Sequence, residues 1–205
     1  MSLKFLCIIP ARGGSKGLKN KNIVKLKKKK LISYTLESIK NLKSITKTIL
    51  SSDSNQILRV AKKYSKIKID KRPKHLALDS SLTIDTVRYL IMKEKGLGNT
   101  YDYVIILAPT SPLRKFKHIN EAINLTKLKQ PPSLISVYEL SKPINFLLKK
   151  TKYGYLKEYI GRGKSFGNRQ YKTKYFFPNG AIFILHVSKI NQNRYYFQKT
   201  IPYEM

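Results

Sequence analysis

The side chains best suited to chemistry stand together near the start of this sequence. An apolar run, "KFLCII", breaks at Pro10. Ala11, Arg12, Gly13, Gly14, Ser15, Lys16, Lys21 and Asn22 follow within "PARGGSKGLKNKN". Glycines let backbone N–H groups approach a phosphate closely, and arginine and lysine neutralise its charge. The loop fits neither G-x-x-x-x-G-K-[ST] nor G-x-G-x-x-G, so the two familiar nucleotide-loop patterns do not cover it. A solvated basic turn is the plain alternative. The position directly after a first strand, with Arg12, Lys16 and Lys21 converging, favours phosphate binding.

Two later stretches carry compatible chemistry. In "ILAPTSPLR", two prolines fix the loop, Thr110 and Ser111 offer hydroxyls, and Arg114 adds a cation. In "KRPKHLALDSSLTIDTV", Arg72 and Asp79 precede a Ser/Thr-rich helix start that by itself reads as a capped helix. Asp53 and Asp79 read as turn and cap residues rather than catalysts. His75, His118 and His186 read as structural or exposed, and no residue is assigned as a general base.

These loops need strands and helices to hold them, and the sequence supplies an alternation. Phe5–Ile9, "TILSSD", "IKID", "YDYVIILAPT", "SLISVYEL" and "GAIFILHV" read as strands. "LISYTLESIKNL", "SNQILRVAKKYS" (capped by Asp53 or Ser54), "SLTIDTVRYLIMKEKG" and "KHINEAINLTKL" read as amphipathic helices. The order predicts an α/β domain with a mostly parallel sheet. In such sheets ligands bind at the carboxyl ends of the strands, where the first loop and "ILAPTSPLR" would lie. Residues 140–177 break the alternation. They are basic, tyrosine-rich and glycine-punctuated, as expected of an inserted arm of short antiparallel strands. "KLKKKK", Lys25–Lys30, is the only low-complexity run, and "YYFQKTIPYEM" closes the chain with strand character.

Composition narrows the classes. The 205 residues suffice for one domain. The single cysteine, Cys7, cannot form an internal disulfide and reads as a small core side chain. No secretory signal or apolar run of membrane-span length is visible, so a cytoplasmic protein is expected. Forty-two Lys+Arg against eleven Asp+Glu give a formal charge of +31, which attracts polyanions of any kind. Residues 149–177, where Lys and Arg alternate with Tyr and Phe, support a rival reading as a nucleic-acid-binding protein. No zinc spacing, RNA-recognition motif or helix-turn-helix pattern accompanies them, so nucleic acid is not the expected partner.

"IPARGGSKGLKNKN", "RPxxLAxDSSxTIDTV", "APTSPLR" and "PNGAIFI" occur in an order and spacing that resemble the acylneuraminate cytidylyltransferases, the CMP-sugar synthetases that activate nine-carbon sugar acids. The resemblance runs through nearly the whole chain. It implies a Rossmann-like nucleotidyltransferase fold with an inserted dimerisation arm, a single domain over residues 1–205, and a homodimer. It implies transfer of CMP from CTP to a sialic, legionaminic or pseudaminic type of acid, with Mg²⁺ and release of pyrophosphate. Arg12, Lys16 and Lys21 fall on the family's phosphate-binding cations. Asn22, with Gly13, Gly14 and Ser15, falls on the same loop. Ala11, Arg72 and Ser81–Thr83 fall on the cytosine pocket. Pro109, Thr110, Ser111 and Arg114 fall on the sugar side. Arg169 and Gln170 fall on the dimer arm, and Asn179 on the "PNGA" turn.

Four departures stand out: Ala108 replaces a glutamine common in relatives, and Phe177 an arginine. Lys27–Lys30 replace a Gly-Lys-Pro type turn. The family's metal-binding aspartates fall beyond Met205, so no residue here is assigned to metal, and an inactive family member is the further alternative.

Overall fold

The computed structural model of the protein describes residues 2–15, 17–141, 147–159 and 174–205. Three expected site residues, Lys16, Arg169 and Gln170, lie outside them.

The chain opens with β1 (Phe5–Pro10), a short hairpin of β2 (Lys25–Leu26) and β3 (Lys29–Lys30), and α1 (Leu31–Ser38). Then come β4 (Lys47–Ser52), α2 (Asn55–Ala61), β5 (Ile67–Lys71), α3 (Thr83–Gly96), β6 (Tyr103–Ile106), α4 (Phe116–Lys129) and β7 (Ser133–Glu139). An antiparallel hairpin, β8 (Leu148–Lys150) with β9 (Leu156–Glu158), precedes β10 (Phe176–His186) and β11 (Ile201–Glu204). The expected Rossmann-like α/β architecture is present. Seven strands form one sheet in the order β11-β7-β10-β6-β1-β4-β5. All run parallel except β10, which is antiparallel to both β6 and β7.

The sheet is apolar on both faces because its strands alternate between two packed layers. Phe5, Cys7 and Ile9 of β1 face one way, against Leu36 of α1, Ile57 of α2 and Ile123 of α4. Leu6 and Ile8 face the other way, against Ile84, Val87 and Leu90 of α3. Burial pushes the Cys7 thiol up to about 12, which fits its expected place in the core. No helix among the described residues is long and apolar enough to cross a membrane.

Local details differ from expectation. α1 stops at Ser38, and Ile39 and Leu42 bury their side chains from turns beyond it. α2 starts without a side-chain cap from Ser54, and Asp53 is engaged elsewhere. The "PNGA" turn is a bulge inside β10: the register with β7 shifts between Pro178 and Phe183, and Gly180 takes φ +71°, a conformation that favours glycine. The lysine run forms the β2–β3 hairpin, exposed throughout, with Lys27 at φ 53°.

β1 lies inside the sheet, between β6 and β4. The chain builds β4 and β5 on one side of it, then crosses to β6 on the other. Loops leaving β1 and β6 therefore diverge, and a crevice opens at their carboxyl ends.

Candidate active site

A cavity of about 260 Å³ occupies that crevice. Pro10, Arg12, Ser15, Lys21 and Asn22 enter from the β1 loop, and Ala108, Pro109 and Thr110 from the β6 loop. The third wall is the β5–α3 connection, with Arg72, Asp79, Ser81 and Thr83. Three separate stretches of sequence thus meet around one space.

The β1 loop is stapled rather than loose. Gly13 N–H donates to Asp53 Oδ1 at 2.8 Å, and Ala11 N–H to the Ser51 carbonyl at 3.0 Å. Buried Asn22 donates through Nδ2 to the Arg12 carbonyl at 2.9 Å. Asn22 therefore shapes the loop as well as lining the cavity. The two glycines differ in role. A Cβ on Gly13 would stand 2.8 Å from Ser54 Cβ, whereas Gly14 has open space around it. Gly13 lets the loop lie against the β4–α2 turn, a side chain at Gly14 would meet no protein atom, and neither glycine is among the residues lining the cavity.

The cations are held in different ways. Arg12 Nη1 lies 3.0 Å from Asp79 Oδ1 and donates to the Leu78 carbonyl at 3.3 Å, bridging two cavity walls. Asp79 is thus an ion-pair partner across the cavity, not a helix cap. The N–H of Leu82 at the start of α3 instead meets Asp85 Oδ2 at 3.2 Å. Arg72 is buried, and desolvation lowers its pKa. It donates through Nε to Ser51 Oγ at 3.2 Å and through Nη2 to the Ser51 carbonyl at 2.7 Å. Ser81 donates to the His75 carbonyl at 2.7 Å, closing the short turn beneath the cavity wall.

Three further expected ligand residues, Arg114, Asn179 and Ser111, are placed otherwise. Arg114 is buried outside the cavity lining. Its Nη1 donates to the carbonyls of Ala108 at 3.1 Å and Ala181 at 2.5 Å, and its Nη2 to Thr35 Oγ1 at 2.7 Å. Burial lowers its pKa to about 10. It ties the β6 loop to β10 and α1, so it fixes the cavity wall from behind. Asn179 is occupied by the β10 bulge, accepting through Oδ1 from Ser136 Oγ at 2.6 Å and from Ala181 N–H at 3.0 Å. Ser111 is likewise outside the cavity lining, its carbonyl accepting from Arg114 N–H at 3.2 Å.

Sequence reasoning passed over other residues. Thr86 lines the cavity with a buried hydroxyl that has no partner among the described residues. A threonine on the apolar face of a helix reads as packing, so its sequence carried no signal. Asp53 lay in a turn and gave no hint of the Gly13 bond.

The cytidylyltransferase family profile matches residues 6–202. The chain belongs to that family. An N-acylneuraminate cytidylyltransferase of Escherichia coli is 32% identical over 198 residues, covering 96% of this chain and 46% of its own length. The chain thus spans about half of that relative. A CMP-N,N'-diacetyllegionaminic acid synthase of Legionella pneumophila is 31% identical over 210 residues, covering 98% of this chain and 86% of its own. Among solved structures, a CMP:2-keto-3-deoxy-manno-octonic acid synthetase complexed with CTP aligns with a TM-score of 0.68 at 14% identity, covering 98% of this chain and 90% of that one. That likeness speaks for the fold. As a family member the chain has its basic glycine loop, its Arg72 wall and its β6 loop around one cavity, and the family's chemistry can be asked of that cavity.

Proposed function

We propose that this cytidylyltransferase transfers CMP from CTP to a nine-carbon sugar acid of the sialic, legionaminic or pseudaminic type and releases pyrophosphate. The observation that carries the reading is the cavity at the switch point, where Arg12, Ser15 and Lys21 face Arg72 and Ser81 across one space. The triphosphate would lie along the Gly14–Ser15 backbone and the base against the β5–α3 wall. The sugar would enter beside Pro109 and Thr110.

The sugar's anomeric oxygen attacks the α-phosphorus in line. The new O–P bond forms as the α–β bridge breaks, pyrophosphate carries away the electron pair, and the hydroxyl proton passes to solvent. Such transfers depend on positioning and charge neutralisation. Arg12, now paired with Asp79, would exchange that carboxylate for phosphate oxygens, and Lys21 would neutralise charge on the leaving group. Lys16 joins them on this reading.

Mg²⁺ belongs to the proposal as a companion of the triphosphate, where it would screen phosphate charge and keep several waters. Its fit to this chain is poor. No group of three His, Cys, Asp or Glu among the described residues could hold a metal, and Asp79 at the cavity is engaged with Arg12. No step is routed through it. The reading also includes a homodimer built through the 140–177 arm, and a reaction in the cytoplasm, where CTP is made.

The test is pyrophosphate release from CTP with Mg²⁺ and a panel of nine-carbon sugar acids. Lys21→Ala is expected to lower the rate about 10²–10³-fold, the usual cost of a lost transition-state donor. Release that ignores the base or survives Lys21→Ala unchanged would overturn the reading.

A further inference from the structure

Behind the cavity wall lies a chain of buried polar groups that the reaction does not itself use. Ser51 of β4 and Asp70 of β5 are directly paired across the two parallel strands. Both are buried, as is Arg72, two residues beyond Asp70. Ser51 Oγ donates to Asp70 Oδ2 at 2.8 Å and accepts from Arg72 Nε at 3.2 Å. A serine hydroxyl carries one hydrogen, and arginine can only donate. Giving that hydrogen to the carboxylate turns the hydroxyl's lone pairs towards Arg72. Asp70 thereby sets the direction of the whole chain.

The other end of Asp70 is closed. Its Oδ1 accepts from Lys93 Nζ at 2.7 Å and from Tyr89 Oη at 3.3 Å. The backbone confirms the alignment, with Arg72 N–H donating to the Ser52 carbonyl at 2.9 Å. Two nitrogens of the guanidinium bond to Ser51, while Nη1 makes no hydrogen bond with the described residues. Arg72 lines the cavity, and the two N–H groups of Nη1 with the second N–H of Nη2 are left for a ligand.

We infer that Asp70 and Ser51 are positioning residues that orient the Arg72 guanidinium towards the nucleobase and so set the preference for cytosine over uracil. The inference rests on the CTP reading above. Its chemistry is general. Cytosine presents two adjacent acceptors, N3 and O2, whereas uracil carries a hydrogen on N3. A donor-only group held rigidly beside that edge accepts cytosine and repels uracil. The same group, free to rotate, discriminates little, because it can serve a lone carbonyl from other angles. A site built around a fixed polar group rejects the mismatched analogue far better than an apolar one.

The experiment is calorimetric binding of CTP and of UTP to the full chain and to Ser51→Ala, Asp70→Asn and Glu94→Gln, with thermal melts of each. Glu94 is also a buried carboxylate bound to a lysine, Lys47 at 2.7 Å, and it is outside the cavity lining. Glu94→Gln is therefore expected to lower Tm and keep the CTP-over-UTP ratio. Ser51→Ala and Asp70→Asn are expected to lower that ratio at least tenfold, measured well below their melting temperatures. A lower Tm with an unchanged ratio in both would overturn the positioning role. Failure of the unsubstituted chain to bind CTP would overturn the nucleotide reading itself, and this inference with it.

Discussion

Alanine at Gly13 and at Gly14 separates what the basic loop does for the fold from what it does for a ligand. Neither glycine has a positive φ, so backbone strain is not the issue at either position. At Gly13 the new Cβ would stand 2.8 Å from Ser54 Cβ and 3.5 Å from Asp53 Oδ2. Ser54 Cβ is fixed to the backbone that starts α2, so the loop itself must move. Overpacking of this kind costs about 1–3 kcal/mol. The displaced loop also weakens the Gly13 N–H bond to the Asp53 carboxylate, a class of bond that contributes about 1.5–3 kcal/mol. Stiffening the unfolded chain returns about 0.4–1 kcal/mol. A net loss near 2 kcal/mol should lower Tm by roughly 4–8 °C in a chain of this size.

Gly14→Ala meets nothing in the protein, so its Tm should hold or rise slightly. On the proposed reading its Cβ enters the space where a phosphate approaches, and CTP affinity should fall at least tenfold, about 1.4 kcal/mol. Thermal melts and CTP titration of both variants decide the matter. Wild-type Tm for Gly13→Ala would refute the close-approach argument. Wild-type CTP affinity for Gly14→Ala would refute the placement of phosphate on this backbone.

Arg114→Met should destabilise by about 3 kcal/mol or more, because it strands the Ala108 and Ala181 carbonyls that Arg114 now satisfies. Surviving folded protein should still bind CTP, and a selective loss of binding at full stability would return Arg114 to the cavity. Asp79→Asn releases Arg12 from an exposed ion pair worth up to about 1 kcal/mol, so CTP should bind up to about fivefold more tightly. Titration at low and moderate salt checks it, and weaker binding would contradict the exchange of carboxylate for phosphate.

Stability should also fall in alkali. The Cys7 thiol is pushed from an ordinary 9.0 to about 12 by burial, so the folded state keeps a proton that the unfolded state loses above pH 9. Its contribution is intact below pH 9 and is lost as pH rises towards 12, at about 1.4 kcal/mol per unit. Cys7→Ala, less stable at neutral pH, should show a flatter melting-temperature profile between pH 8 and 10. A parallel profile would refute the assignment.

How much the sequence determined follows from what kind of information each feature needs. Periodicity alone gave the alternation of strands and helices: α3 runs over Thr83–Gly96, as its stripe of Ile84, Val87 and Leu90 required. Residue type and position pointed to the basic loop after β1 and to the loop after β6, while Arg72 was assigned to the site only through the family resemblance. The antiparallel setting of β10 was not legible. "GAIFILHV" is equally apolar in either direction, and only pairing with β6 and β7 decides it.

The roles of individual polar side chains were least legible. Arg114 looks like a ligand cation in "APTSPLR", yet β10 and α1 close over it and turn it into a staple. Asp53 and Asp70 look like ordinary turn and strand acids, yet each reaches another segment, Gly13 in one case and Ser51 in the other. Sequence fixes which groups can donate, accept or carry charge. Which partner lies within 3 Å, and whether water is excluded there, depends on contacts between segments tens of residues apart. Those two conditions set the strength of a polar interaction, and only the tertiary structure supplies them.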